Sequence, residues 1–253
     1  GKYMLAWKAR MLMEMGRYCE AGDICLPLAN NESHSAVIRV TALYVVGKIR
    51  LRKGLSDAID YLIKAKALAF PAGEVQRIAP AMVALLEYEW QTGRQVISEQ
   101  EITATIQLIK ESDNRLHYSE FAYWLEKARD IIIYENDLFK PYQLEIDGKG
   151  RAAAAEWKKI GCPYEEAHAL FTGDDDDKRN ALAILTALGA TATHEKLKQE
   201  MRTAGIRNIP RGIRETTRSN PAQLTTRQVD VLKLLHAGLQ NKEIAGKLFI
   251  SAK

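Results

Sequence analysis

From Leu5 to Ala204 the apolar residues recur at helical spacing and two-residue alternation is almost absent. That single feature predicts an all-α fold over most of the chain. A long helical chain has to bury many amphipathic faces, so internal repetition is the next question. Glycines at 16, 54 and 93 fall 38 and 39 residues apart, and each is placed to close a helix. Gly47 stands seven residues before Gly54, and Ala58 and Ala65 stand seven apart after it, small residues where two antiparallel helices approach closely. The unit around Gly16 shows Ala6 and Ala9 before the turn and Ala21 after it. In the third unit, Leu85 to Gly93 supplies the first helix, and its partner starts late, at a capping box of Ser98 with Glu101. Ile102, Ile106 and Ile109 then form its stripe. The spacing exceeds the 34 residues of a tetratricopeptide unit, so the expectation is a degenerate, tetratricopeptide-like helical-hairpin solenoid.

Aligning Ala9, Gly47 and Leu86 as equivalent contact positions directs Arg10, Tyr44, Lys48, Arg52, Glu87 and Trp90 toward the concave side of such a stack. Aromatics mixed with charges suit a polar small molecule or a peptide, although aromatics at helical spacing serve equally well as inter-repeat packing. The stretch from Leu138 to Ile146 contains Pro141 and reads as a connector. A further hairpin follows, with Trp157 in its first helix and Gly161-Cys162-Pro163 at its turn. Asp174 to Asp177 then precede another helix, where negative charge complements the macrodipole.

Charge is distributed unevenly. The chain carries a net +4, yet residues 205–253 hold nine Lys or Arg against three carboxylates, which leaves the preceding body slightly acidic. Any nucleic-acid contact is therefore expected at the C-terminal end. From Gly205 to Gln223 the periodicity lapses into a basic, proline-containing linker. Beyond it, Thr225 with Gln228 forms a capping box that opens a short amphipathic helix, with Val229, Leu232 and Leu235 turned to a core. Gly238 ends that helix, and a second begins near Asn241 with Ile244, Ala245 and Leu248 inward. Ser251 is placed as the cap of a third. Helix, short turn, helix and a new cap is the pattern of a helix-turn-helix reader.

The run Leu224-Thr225-Thr226-Arg227-Gln228-Val229-Asp230-Val231-Leu232, with Gly238-Leu239-Gln240-Asn241-Lys242-Glu243-Ile244-Ala245 and Leu248-Phe249-Ile250-Ser251, closely resembles the LuxR-type DNA-binding domain. Upstream, Pro141-Tyr142, Trp157, Gly161-Cys162-Pro163-Tyr164-Glu165, Leu188-Gly189-Ala190, Pro210-Arg211-Gly212 and Arg218-Ser219-Asn220-Pro221 look like the segment before that domain in large, MalT-like, ATP-dependent regulators. The resemblance implies a transcriptional regulator with residues 1–204 as a helical-repeat sensor, 205–223 as linker and 224–253 as the start of a DNA-binding domain whose recognition helix would follow Ser251. It implies DNA, an effector or protein partner, and self-association as partners. Arg227, Asn241, Lys242, Ser251 and Lys253 are the candidate phosphate contacts. Gln240 stands where the family usually has serine, and Gly246 weakens the second helix by roughly 1 kcal/mol relative to alanine.

The chain has no G-x-x-x-x-G-K-[ST], so ATP is expected only in a domain N-terminal to it, and no cofactor within it. The five histidines are scattered, and no metal-ligand or nucleophile pattern appears, so neither a catalytic nor a metal residue is nominated. No run of apolar residues is long enough for a membrane span. With Cys19, Cys25 and Cys162 forming no framework and no signal peptide at the N-terminus, the expectation is a cytoplasmic protein. The competing reading is a tetratricopeptide-type scaffold that binds a protein partner and does not touch DNA.

Overall fold

The helical periodicity becomes fourteen α-helices, with no strand among the described residues. The computed structural model describes residues 1–112, 114–134, 137–209, 224 and 226–249. Two compact units are distinguished, Gly1–Pro210 and Arg211–Lys253.

The first unit holds α1 (Lys2–Glu14), α2 (Tyr18–Asn30), α3 (Ala36–Lys53), α4 (Ala58–Ala69), α5 (Val75–Thr92) and α6 (Glu99–Glu111). It continues with α7 (Arg115–Arg129), α8 (Lys140–Ile146), α9 (Gly150–Ile160), α10 (Pro163–Phe171), α11 (Asp175–Leu188) and α12 (Thr191–Thr203). The spaced glycines do close helices: Gly54 and Gly93 sit just past α3 and α5 with φ of +81° and +71°, a left-handed conformation that costs other residues a Cβ clash. Gly47 serves a different purpose. A Cβ there would lie 2.3 Å from Cδ2 of Leu62 on α4, so the missing side chain is what lets α3 and α4 close on each other. Ala58 and Ala65 are buried on the opposing side of the same hairpin.

The third hairpin is looser. Ser98 and Glu101 form the capping box, with the Ser98 N–H donating to Glu101 at 2.9 Å and the Glu101 N–H donating to Ser98 at 3.2 Å. Yet α5 packs chiefly on α7 rather than on α6. The buried Glu89 carboxylate explains the wide turn: it accepts the Val96 and Ile97 N–H groups at 2.6 and 2.8 Å and also binds Arg129 at the end of α7. The loop is thereby folded onto α5, and α7 is drawn alongside.

The stretch read as a connector is α8. Pro141 lies in its first turn, where a missing N–H costs nothing and the fixed φ suits the helix, so the proline starts the element it was expected to prevent. At the other acidic stretch, Asp174 caps α11 by accepting the Asp176 and Asp177 N–H groups at 3.0 Å each, while Arg151 binds both Asp174 and Asp177. These carboxylates are consumed by the cap. Among the described residues, no three His, Cys, Asp or Glu side chains are grouped to hold a metal ion.

The last helices of this unit return onto the first. Thr191 donates to the Lys53 carbonyl at 2.8 Å, and α12 packs on α3 and α5. Helix α3 is consequently enclosed from Val40 to Ile49.

The second unit contains α13 (Thr226–His236) and α14 (Asn241–Leu248), joined through Gly238 at φ +80°. Ile244 and Ala245 are buried and Leu248 half-buried. Leu232 and Leu235 were expected in a core with Val229, but they are 50% and 47% exposed, because two short helices enclose too little volume to cover every apolar position of α13. No described helix of either unit is long and apolar enough to cross a membrane.

Two glycines inside helices separate close packing from mere propensity. Gly47→Ala forces Leu62 aside and is expected to cost about 1–3 kcal/mol. Gly22→Ala in α2 meets nothing within 4 Å and is expected to stabilise by about 0.5–1 kcal/mol. Urea denaturation of both variants checks the pair; equal effects would contradict the packing role of Gly47.

Candidate functional site

Six side chains were expected on a concave face, and the first unit gathers five of them around one charged locus. Arg10 comes from α1, Tyr44, Lys48 and Arg52 from successive turns of α3, and Glu87 from α5. Tyr44, Lys48, Arg52 and Glu87 are buried rather than displayed in an open groove: Tyr164 of α10 stacks on Arg52, and α12 packs on α3 and α5. The Arg52 guanidinium grips Glu87 through Nε at 2.7 Å and Nη2 at 3.2 Å, donates to the Tyr18 hydroxyl at 3.3 Å, and stacks 3.4 Å from the centre of the Tyr164 ring. Lys48 reaches Glu87 at 3.2 Å. Burial alone would raise the Glu87 carboxyl, but the two cations more than offset it and hold Glu87 down to about 2. Trp90 is separate, half-buried against Trp124 and His168 with the Lys196 ammonium 4.9 Å from its ring.

Above this buried pair opens a cavity of about 110 Å³ lined by Arg10, Glu14, Lys48, Leu116, Glu120, Phe139, Tyr142, Trp157, Ile160, Cys162 and Glu165. One wall is aromatic: Tyr142 lies edge-on to Trp157 at 5.0 Å, and Phe139 leans on Trp157 at 5.9 Å. Trp157 is fixed from behind by donating its indole N–H to Glu145 at 2.9 Å, and Glu145 also accepts the Tyr123 hydroxyl at 2.7 Å. The other wall is charged. Arg10 donates to Glu14 at 2.8 Å, whereas Glu120 meets Lys48 at 3.8 Å and Glu165 meets Arg52 at 3.7 Å. Oε2 of Glu165 is buried with no hydrogen-bond partner among the described residues. Burial pushes the Glu165 carboxyl up to about 7, against the pull of Arg52 and Lys48. Burial raises the Cys162 thiol as well, to about 12, so it stays protonated at neutral pH. A larger hollow of about 380 Å³ between α3, α5 and α12 has Arg94 as its one charged lining residue among the described residues.

Sequence reasoning found Arg10 and Lys48 of this cavity and missed Glu14, Glu120, Glu165 and the aromatic wall. Glu14 was within reach, one turn after Arg10. Glu120 and Glu165 are brought in by α7 and α10, whose placement no local pattern announces.

In the second unit, Arg227, Asn241 and Lys242 are exposed, as are Lys233 and Lys247. Ser251, Lys253 and the linker from residue 210 to 223 lie outside the described residues. The turn is built as its sequence requires: the Leu239 N–H donates to the Leu234 carbonyl at 3.1 Å across Gly238, and the Gln240 N–H donates to the Glu243 carboxylate at 2.8 Å. Glutamine in place of serine therefore leaves the Glu243 half of the cap intact.

Residues 222–253 match the GerE family model, described as bacterial regulatory proteins, luxR family. No curated protein and no solved structure matches the chain. The C-terminal segment is thus a LuxR-family helix-turn-helix domain, which marks a DNA-binding transcriptional regulator.

Because Glu165 holds its proton more tightly when folded than its ordinary value of 4.5, the folded state binds the extra proton between pH 4.5 and 7, and stability falls as pH rises through that window. Glu165→Gln removes this term. With the side chain 19% exposed, the variant is expected to match the parent near pH 4.5 and to exceed it by roughly 2 kcal/mol above pH 7. Denaturation midpoints across that range read the difference, and a gap independent of pH would contradict the assignment.

Proposed function

We propose that this chain combines a helical sensing body, residues 1–204, with a basic linker, 205–223, and a helix-turn-helix DNA-binding segment, 224–253. The match of residues 222–253 to the luxR family model carries this reading. The exposed Arg227, Asn241 and Lys242 on α13 and α14 support it chemically, since cations and helix-start amides position a protein on phosphates without reading bases. Ser251 and Lys253 belong to the same proposed set. The body supports a sensing role through its charged cavity, and its resemblance from Pro141 onward to the segment preceding the domain in large, MalT-like regulators points to that type. No catalytic residue enters this reading.

DNA contact through these residues makes a quantitative demand. Each phosphate neutralised by a lysine or arginine contributes about 0.9 to the slope of log affinity against log salt. Titration of the chain onto a mixed-sequence duplex at several salt concentrations is expected to give a dissociation constant of about 10⁻⁴–10⁻⁶ M. Arg227→Ala and Lys242→Ala should each lower the slope by about 0.9. Unchanged slopes in both variants would remove these residues from the interface, and salt-independent or absent DNA binding would favour the protein-scaffold alternative.

A further inference from the structure

The cavity between α1, α3, α7, α8, α9 and α10 has more carboxylate than it can satisfy. Glu87 below it takes two hydrogen bonds from Arg52 and the shorter of the two ion pairs of Lys48. Glu14 takes Arg10. That leaves Glu120 and Glu165 as carboxyl groups whose ion-pair partners, Lys48 at 3.8 Å and Arg52 at 3.7 Å, stand beyond hydrogen-bond length and are already engaged with Glu87. Four carboxyl groups thus meet three cations, and both Glu120 and Glu165 line the cavity. Opposite them stand the faces and edges of Phe139, Tyr142 and Trp157.

We infer that this cavity is a binding site for a small organic ammonium ion, its charged head on Glu165 and Glu120 and its short apolar body against the Phe139, Tyr142 and Trp157 wall. A bound cation supplies the missing positive charge, donates to the empty Oε2 of Glu165, and gains attraction from the aromatic quadrupoles. An anionic ligand would have to displace the Arg10–Glu14 or Lys48–Glu87 pairs and would add repulsion from Glu120 and Glu165. A neutral apolar ligand would leave both carboxylates desolvated and unmet. Burial, with a smaller contribution from Glu14, raises the proton affinity of Glu165 against the pull of Arg52 and Lys48, so a proton and a bound cation compete for the same carboxyl group. The volume of about 110 Å³ suits a molecule of a few heavy atoms rather than a peptide. This inference rests on the sensing role proposed for the body only for its consequence at DNA; the binding itself does not depend on it.

The test uses the full chain and three probes of one length, n-butylammonium, butyrate and 1-butanol, with binding measured directly by titration calorimetry. Butylammonium is expected to bind at least about tenfold more tightly than either of the others. Glu165→Gln, a neutral isostere, should weaken it about tenfold or more, and Trp157→Phe should weaken it less. Should Glu165→Gln fail to fold, Glu120→Gln, at the half-buried rim, is expected to weaken binding several-fold and serves in its place. Equal or tighter binding of butyrate, no saturation by butylammonium below about 10 mM, or affinity unaltered in both glutamate variants would overturn the assignment. DNA affinity is read separately. Butylammonium bound with DNA affinity unchanged upholds this site and removes the sensing role, whereas DNA binding intact with no butylammonium bound overturns the site and leaves the regulator reading standing.

Discussion

The buried Glu87 carboxylate, held between Arg52 and Lys48, is the interaction on which the body of this protein is organised. Arg52 and Glu87 are each 1% exposed, so the ionic groups have surrendered almost all hydration. Such a pair is tolerated only when its hydrogen-bonding capacity is met from every side. That requirement recruits other elements. Tyr18 brings α2, Tyr164 brings α10, and Lys48 adds a second turn of α3. Removing one member would leave an uncompensated buried charge, which is why the arrangement is stringent about geometry even where its net contribution to stability is small. Packing then follows: α3 is surrounded by α1, α2, α4, α5 and α12, and its hydrophobic residues need no amphipathic stripe because nearly every face is interior.

How far this could be read from the chain depends on whether the signal is local. Gly54 and Gly93 require left-handed backbone, so their positions alone marked helix ends, and positions 10, 48 and 87 inherit the same spacing. Gly47 opposite Ala58 and Ala65 announced a close helix contact, and Leu62 occupies the space its side chain leaves. The capping box at Ser98 was equally visible. What periodicity supplies is the face a residue lies on, not what covers that face. Tyr44, Arg52 and Glu87 were expected on an open face and are buried, Arg52 beneath Tyr164 of α10, which comes from far along the chain. The same limit hid Glu120 and Glu165. The reading of Pro141 failed for another reason: a proline in the first turn and a proline in an interior look alike until the helix start is known.

The second unit is governed by a different balance. Its turn chemistry is complete, with Gly238 left-handed and Glu243 closing the start of α14, so local rules suffice to build helix, turn and helix. Its hydrophobic content is not consumed in the same way. Leu232 and Leu235 remain half exposed and Phe249 is 95% exposed, while Ile244 and Ala245 are enclosed. Amphipathic periodicity therefore named the apolar face of α13 without fixing its burial, which two short helices cannot supply.

A consequence of the first unit's charge arrangement concerns how occupancy of the cavity would be felt. Glu120 and Glu165 do not stand alone, for each shares its cation with Glu87: Lys48 lies between Glu120 and Glu87, and Arg52 between Glu165 and Glu87. A positive charge placed among them competes with Lys48 and Arg52 for the outer carboxylates and leaves both cations freer to tighten on Glu87. Arg52 also touches Tyr18 and Tyr164, so the change would be transmitted to α2 and α10 through groups already in contact. Coupling of this kind requires that the ligand interact differently with two arrangements of one network. A cation in the cavity that drew Glu120 and Glu165 away from Lys48 and Arg52 would meet that requirement, because both cations also bind Glu87.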